Sequence, residues 1–235
     1  MEQTLNAEKK SPSSWDDDES AQRYAEFART FPMYQETSRD VVDAGGVSGD
    51  AMVIDLCCGT GITTESVLEA IGPGGRVQGV DASAPMLDQA RHHVTDSRVE
   101  FIQSPAEELT SAIEGPVDAV VCNSAIWQTD FAKVAAGVAG LLRPGGTFTF
   151  NIGRRFVIMP FTPDELAPRQ PGLSDLALAI AILDYDFVPT FRPSGPRRPP
   201  LTLDGIDETL RQSGFITEPP RLVDYDVTAE QQRAW

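Results

Sequence analysis

The segment of residues 53–64, Val-Ile-Asp-Leu-Cys-Cys-Gly-Thr-Gly-Ile-Thr-Thr, constrains the fold of this chain most strongly. Its apolar start predicts a buried strand, and Gly59 and Gly61 predict a tight turn that leads into a helix. The first turn of a helix offers unpaired backbone N–H groups to a polar ligand. Asp81 follows Gly61 by 20 positions, at the end of an apolar run, where a carboxylate can accept hydrogen bonds from both ribose hydroxyls. The segment therefore predicts a nucleotide-cofactor site.

An acidic residue ahead of the glycine turn distinguishes between nucleotide cofactors. A dinucleotide fingerprint reads G-x-G-x-x-G, whereas this turn follows Asp55 and has no third glycine at that spacing. A carboxylate facing the turn repels a pyrophosphate and suits a cofactor with an ammonium group. The segment resembles the first motif of class I S-adenosylmethionine (SAM) methyltransferases, D-x-G-x-G-x-G, with Cys57 in place of the first glycine. We expect Cys57 to fit there with a negative φ.

Strands and helices alternate regularly in residues 48–153, which we expect to form the SAM-binding core. This alternation predicts an α/β fold with a doubly wound, mainly parallel, Rossmann-like sheet that binds its ligand at the carboxyl ends of the strands. The predicted strands cover residues 52–56, 76–80, 99–103, 119–123 and 147–152. The predicted helices cover residues 62–71, 107–113 and 130–142, together with one that Ser83 caps and that runs to about residue 94.

The region before the core divides into two parts. Residues 1–14 are polar and aperiodic, as is typical of a disordered tail. Residues 15–47 are expected to form a helical lid, with a helix over 21–47 and an acidic run at its start. Aromatic residues recur on neighbouring turns of this helix: Tyr24, Phe27, Phe31 and Tyr34. Two interpretations stay open, a helix that simply packs on the domain or a lid that brings Tyr24 or Tyr34 to the cofactor.

The region after the core has a different composition. Residues 154–200 are proline-rich, and in this family an insertion after the fifth strand commonly forms a substrate cap. An apolar helix predicted over 173–183 is covered on most sides, lines an apolar pocket or makes a dimer contact, so a homodimer stays open. Residues 201–235 are expected to complete the core with a helix over 202–213 and a sixth strand over 216–227. No residues remain for the seventh strand usual in this family, so we expect the sheet to lack it or the chain to be truncated.

The resemblance covers residues 50–153 and is strongest to the branch that contains ubiquinone and menaquinone biosynthesis methyltransferases. It implies a SAM-dependent methyltransferase with S-adenosylhomocysteine (SAH) as product. It also implies contacts to the methionine end, the ribose and the adenine of the cofactor. The residues so implicated are Tyr34, Asp55, Cys57, Gly59, Thr60, Gly61, Asp81, Ala82, Met86, Ala106, Glu107 and Asn123. Pro105 stands where related enzymes often carry an acid for the adenine, so Ala106 or Glu107 is expected to supply that contact.

The acceptor side is less defined by the sequence. Candidates for contact with the acceptor or its proton are Tyr34, Gln128, Asp184 and Tyr185, each with ordinary packing or a loop position as the alternative. Trp127 follows the fourth strand and either touches the ligands or packs under the cap. His92 and His93 are adjacent on one helix and are expected on its solvated face.

Composition excludes several classes of function. The net charge of −16, from 35 acidic and 19 basic residues, repels nucleic acid and argues against an RNA methyltransferase. The sequence contains no apolar run of about 18 residues, so no membrane span is predicted, and its polar start lacks the apolar core of a signal peptide. Three cysteines, two of them adjacent, predict neither a disulfide framework nor a metal site.

These observations predict a bacterial cytoplasmic enzyme that methylates a small, partly apolar molecule, such as a secondary metabolite or a quinone precursor. A non-catalytic SAM-fold partner protein is one alternative. An NAD-dependent oxidoreductase is another, although it usually needs a Tyr-x-x-x-Lys pair, and none of the four tyrosines has a lysine four positions later.

Overall fold

A computed structural model describes residues 15–153, 157–158, 201–225, 228 and 231. Its centre is a five-stranded sheet in the order β3-β2-β1-β4-β5, with every neighbouring pair parallel. The strands are β1 (Met52–Leu56), β2 (Arg76–Asp81), β3 (Val99–Gln103), β4 (Val117–Cys122) and β5 (Leu142–Phe150). The predicted parallel, doubly wound sheet is confirmed, and the strand order reverses between β1 and β4, where such sheets bind ligands.

Helices cover both faces of the sheet. They are α1 (Asp18–Thr30), α2 (Met33–Ala44), α3 (Ile62–Ala70), α4 (Ala84–His93), α5 (Leu109–Ala112), α6 (Phe131–Leu141) and α7 (Leu203–Gln212). Alternate residues of β1 point to opposite faces. Ile54 and Leu56 pack with residues of α5, α6 and α7. Val53 packs with residues of α2 and α3, which places Asp55 on the same side as those two helices.

The N-terminal helical segment is broken into α1 and α2, which corrects the prediction of one helix over 21–47. Pro32 is the reason, because its ring disfavours helical geometry in the residue before it. Phe31 accordingly has an extended conformation with φ −108° and ψ 133°. The start of α1 is as expected, because the Asp17 side chain accepts a hydrogen bond from the Ser20 N–H.

The chain after α7 differs from the prediction as well. Residues 215–225 contain no strand, so the sixth strand expected over 216–227 is wrong in its described part. Pro219 and Pro220 interrupt this segment and cannot donate to a ladder. A short parallel pair joins β6 (Val157–Ile158) to β7 (Leu201–Thr202). The tail at 1–14 and the apolar helix predicted over 173–183 lie outside the described residues.

Candidate functional site

The glycine turn between β1 and α3 contains several residues with a positive φ angle. Gly59 has φ 53° and Gly61 has φ 88°. A Cβ added to Gly61 would lie 3.0 Å from the Cγ2 of Val94, so both backbone and space require glycine there. Cys57 has φ 57°, which corrects the expectation of a negative φ. The turn keeps the left-handed geometry that suits glycine and holds a cysteine in it.

Asp55 lies near the end of β1 and is only 1% exposed. Its Oδ2 accepts a hydrogen bond of 2.6 Å from the Thr64 hydroxyl in the first turns of α3. Its Oδ1 is buried and has no partner among the described residues. Burial raises the pKa of Asp55 to about 7, against the opposing effect of the Thr64 hydrogen bond. A cation bound at Oδ1 would restore the ionised carboxylate.

Asp81 ends β2 and faces the same turn. One oxygen accepts a hydrogen bond of 2.9 Å from the Gly59 N–H, and the other accepts one of 2.9 Å from the Ser83 N–H. Burial raises the pKa of Asp81, and these backbone donors partly oppose the shift. The carboxylate thus fixes the turn and the start of α4 relative to each other, at the position predicted for the ribose.

The residues predicted for the adenine surround the starts of α4 and of the 3₁₀ turn Ala106–Glu108. Met86 is buried, at 4% exposure, and Ala106 is also buried, whereas Ala82 is exposed. Glu107 Oε1 accepts a hydrogen bond of 2.7 Å from the Asp130 N–H, next to the start of α6. One oxygen of Glu107 is therefore already engaged, although the sequence offered this residue for the adenine edge.

Aromatic residues of the N-terminal segment lie against the glycine turn. Tyr24 Cε1 is 3.9 Å from the position of a Cβ on Gly59. The Tyr24 ring makes edge contacts with Trp15 and Tyr34, at centroid distances of 5.4 and 5.5 Å. We call Trp15, Tyr24 and Tyr34 the aromatic wall. Trp15 Nε1 donates to Gln128 Oε1 (3.2 Å), and the Trp15 carbonyl accepts from the Ser83 hydroxyl, so this segment spans the edge from β2 to β4.

An ion pair joins α1 to the helix that follows the glycine turn. Arg29 Nη1 donates to both carboxylate oxygens of Glu65, at 3.1 and 3.0 Å. Its Nη2 reaches the Thr60 carbonyl at 3.5 Å. No sequence pattern indicates this pair, because the two residues are 36 positions apart on different helices.

Comparison with known proteins decides the family. The profile of a family described as "Methyltransferase domain" matches residues 53–146. The chain is 33% identical over 184 residues to a trans-aconitate 2-methyltransferase of Azoarcus sp. (strain BH72), a match that covers 74% of this chain and 67% of that relative. The chain belongs to the class I SAM-dependent methyltransferases. Its cofactor is SAM, and the family assignment predicted from the first motif is confirmed.

Two further matches show how far this likeness extends. The methyltransferase is 35% identical over 121 residues to a ubiquinone biosynthesis O-methyltransferase of Aromatoleum aromaticum, over 50% of either protein, and so spans about half the length of that relative. Its fold matches a chain in the complex between the Haloferax volcanii Trm112 methyltransferase activator and a methyltransferase. That match has TM-score 0.66 and 18% identity, and covers 92% of this chain and 82% of the other.

The residues of this methyltransferase fit the cofactor. Two buried oxygens beside the turn, Asp55 Oδ1 and Thr60 Oγ1, have no hydrogen-bond partner among the described residues. Buried polar atoms normally have partners, and the ammonium and carboxylate of a bound methionine moiety would supply them. When bound, the sulfonium supplies an electrophilic methyl group, and the protein supplies orientation and a dry environment.

The side predicted to face the acceptor follows β4, at residues 123–128. Asn123 is half-buried, and its amide contacts Ser38 in α2 and Asn151 just after β5. Trp127 is half-buried and Gln128 is exposed, in a 3₁₀ turn. Sequence reasoning missed Asn151, although a polar residue at the carboxyl end of a predicted strand is the same signal that indicated Asp81 and Asn123.

The remaining candidates for proton transfer lie elsewhere or are poorly suited. His92 and His93 are exposed, as predicted, and line an open cleft of about 340 Å³ between α1 and α4. Burial raises the pKa of Tyr34, so its phenol stays protonated at neutral pH and is suited to donate a hydrogen bond. Gln128 has an amide, which does not accept a proton. Asp184 and Tyr185 lie outside the described residues.

In the part of the chain that the structure describes, no three His, Cys, Asp or Glu side chains gather closely enough to hold a metal ion. Cys57, Cys58 and Cys122 are free thiols. None of the described helices combines the length and apolar character needed to span a bilayer.

Proposed function

We propose that this protein transfers the methyl group of SAM to a small, partly apolar acceptor that binds between the aromatic wall and the end of β4. The observation that carries the proposal is the position of Tyr24, whose Cε1 lies 3.9 Å from where a Cβ on Gly59 would stand, so that Tyr24 and its neighbour Tyr34 lie beside the cofactor turn. Small-molecule sites are mostly apolar with a few placed polar groups. The aromatic rings would supply the apolar surface, and Gln128 a polar group.

The N-terminal helices would act as a lid in this proposal. Trp15 is hydrogen-bonded at both the β2 and β4 ends of the sheet, and Arg29 ties α1 to the glycine turn. This arrangement supports a lid that covers the cofactor and shapes the acceptor pocket. Residues 154–200 would complete that pocket as a cap.

Among acceptor classes, a phenol or quinone precursor fits the described residues better than a polycarboxylate. The guanidinium of Arg29 reaches the turn but is held by both oxygens of Glu65. It is therefore not set to pair with an acceptor carboxylate. Two classes of compound are therefore worth comparing. One is suggested by the relative named as a trans-aconitate methyltransferase, and the other by the relative named as a ubiquinone biosynthesis methyltransferase.

The test is a panel of acceptors assayed by SAH release, with phenolic quinone precursors in one arm and trans-aconitate in the other. We expect turnover with the phenolic arm. The double variant Phe31→Ala, Tyr34→Ala should lose turnover by about a hundredfold, while SAH affinity falls less than about tenfold, because the pocket is lost and the cofactor turn remains. The matched control is His92→Ala, His93→Ala, which should stay within a few-fold of the unchanged protein.

Three outcomes would contradict the proposal. Turnover of trans-aconitate alone would reject the acceptor class. Unchanged turnover in the Phe31→Ala, Tyr34→Ala variant would reject Tyr34, the member of the aromatic wall that it removes, as part of the acceptor pocket. Product-bound coordinates with the acceptor at the opposite edge of the sheet would do the same.

A further inference from the structure

A chain of hydrogen bonds joins four elements beside the cofactor turn. Asn123 Nδ2, at the end of β4, donates to Ser38 Oγ at 2.9 Å and to Thr37 Oγ1 at 3.1 Å, both in α2. Ser38 Oγ lies 2.8 Å from Thr63 Oγ1 in the first turn of α3. Asn151 Nδ2, after β5, donates to Asn123 Oδ1 at 2.7 Å. The side chain of Asn123 therefore connects the first half of α2 to the end of β4 by hydrogen bonds.

The hydroxyl groups in this chain are buried, which makes their hydrogen bonds matter. Ser38 is 0% exposed, and Thr37 and Thr63 are 6% and 5% exposed. A buried hydroxyl that loses its partner keeps its full desolvation cost. Removing the Asn123 amide would take one partner from each of the two hydroxyls in α2, which would keep only Thr63 Oγ1 and the Tyr34 carbonyl, respectively.

The hydrogen bonds from Asn123 reach only the first half of helix α2. Its second half packs Val41 and Val42, at 4% and 2% exposure, into the apolar core beneath it. Its first half carries Tyr34 of the aromatic wall, and the two buried residues there are Thr37 and Ser38. The first half of the helix is thus held by the polar contacts of Thr37 and Ser38 and by ring contacts of Tyr34 with Tyr24 and Phe27, whereas the second half is held by apolar core contacts.

The second amide holds the backbone where the acceptor side begins. Ser124 has φ 55°, a left-handed conformation that is unfavourable for serine. Its N–H donates to Asn151 Oδ1 at 2.6 Å. One oxygen of Asn151 therefore stabilises the strained turn while its amide nitrogen fixes the orientation of Asn123.

We infer that Asn123 and Asn151, here called the amide clamp, are positioning residues that couple the first half of α2 to the cofactor site. Closure of α2 requires the Asn123 side chain in the orientation that Asn151 sets. Thr63 lies in the first turn of α3, beside the glycine turn, and contacts Ser38 of α2. Cofactor binding at the turn and the ordering of α2 should therefore stabilise each other through the clamp. This inference concerns the lid and the cofactor and does not depend on the identity of the acceptor.

Hydrogen exchange measured by mass spectrometry tests the coupling, with SAH as the only ligand. In the unchanged protein, SAH should slow exchange in residues 33–39. In Asn123→Ala these amides should exchange about fivefold faster, as expected for the net loss of about one hydrogen bond. Exchange in β2 should stay unchanged, and the SAH protection of 33–39 should be largely lost. The control is Gln212→Ala, which removes an exposed side-chain amide on α7.

A double-variant comparison separates coupling from general destabilisation. Ser38→Ala removes the group that Asn123 holds, so Asn123→Ala combined with Ser38→Ala should weaken SAH binding no more than the more damaging single change. Multiplying effects would overturn the clamp, as would exchange that rises equally in 33–39 and in β2. If Asn123→Ala does not fold, Ser38→Ala alone must still loosen 33–39 selectively, or the inference fails.

Discussion

Thr64 donates a hydrogen bond of 2.6 Å to Oδ2 of Asp55, while Oδ1 of the same carboxylate is buried without a partner among the described residues. One oxygen of the carboxylate is thus satisfied by the protein, and we expect the other to pair with the ammonium group of the bound cofactor. Burial raises the pKa of Asp55 from 3.8 to about 7, so near neutral pH this group is poised between two protonation states.

The first prediction is that SAH affinity depends on pH through Asp55. SAH retains the ammonium group, which pairs with ionised Asp55 only. Below about pH 7 the protein must release the Asp55 proton before that pairing, so affinity should fall by up to about tenfold per pH unit. Calorimetry between about pH 5 and pH 7, where the ammonium stays charged, measures this slope. Asp55→Asn should bind more weakly at pH 7 and show almost no slope, and an equal slope in that variant would contradict the assignment.

The same shift predicts the stability of the protein without cofactor. The folded-state pKa of Asp55 lies above the unfolded value, so the folded state binds this proton more tightly. Stability should therefore fall as pH rises from about 4 to about 7, and Asp55→Asn should remove that loss. At pH 7 without ligand, the variant should be more stable by roughly 1–4 kcal/mol in urea unfolding. The control is Asp88→Asn, an exposed carboxylate on α4, for which we expect a change within about 0.5 kcal/mol.

Asp81 gives the second prediction. Asp81→Ala removes the acceptor for the Gly59 and Ser83 N–H groups and the predicted acceptor for the ribose hydroxyls. The loss of such hydrogen bonds corresponds to roughly 1–3 kcal/mol, so SAH should bind about 5- to 150-fold more weakly by calorimetry. Asp88→Ala serves as the control on the following helix. Tight NADH binding together with absent SAH binding would reject the cofactor assignment as a whole.

The backbone at Cys57 gives the third prediction. With φ 57°, a β-branched side chain is strained, whereas glycine is not. Cys57→Val should destabilise the protein by about 1–3 kcal/mol, and Cys57→Gly should stay within about 1 kcal/mol of the unchanged protein, since relief of strain offsets the added freedom of the unfolded chain. Thermal unfolding measures both. Equal stability of the two variants would mean that the turn does not hold this residue in the left-handed region.

Local signals in the sequence were enough for most of the fold. The apolar runs of β1 and β4 predicted strands, and the cap at Ser83 predicted a helix start, and the structure confirms both. The helix break at Pro32 was also visible, because proline disfavours helical geometry in the preceding residue, but the aromatic periodicity across it suggested one continuous helix.

The candidate site was predictable where one segment builds it, and not where several segments meet. Asp55, Gly61 and Asp81 follow from strand ends and a glycine turn. The contact of Asn123 with Ser38 joins residues 85 positions apart, and no periodic pattern records it. The φ of Cys57 was hidden for another reason, because the turn imposes a conformation that its residue type does not favour.

The last prediction concerns how α1 is held against the cofactor turn. Arg29 and Glu65 form a two-bond ion pair with side chains 27% and 36% exposed. A single Arg29 nitrogen contacts both oxygens of Glu65, and the pair is less exposed than an ordinary surface pair, so a double-mutant cycle with Arg29→Met and Glu65→Gln should give a coupling of about 1 kcal/mol in urea unfolding. The matched control is Arg23 with Glu19 on the same helix, 70% and 65% exposed, for which we expect below about 0.5 kcal/mol. A coupling at Arg29–Glu65 no larger than the control would mean that apolar contacts alone hold α1 in place.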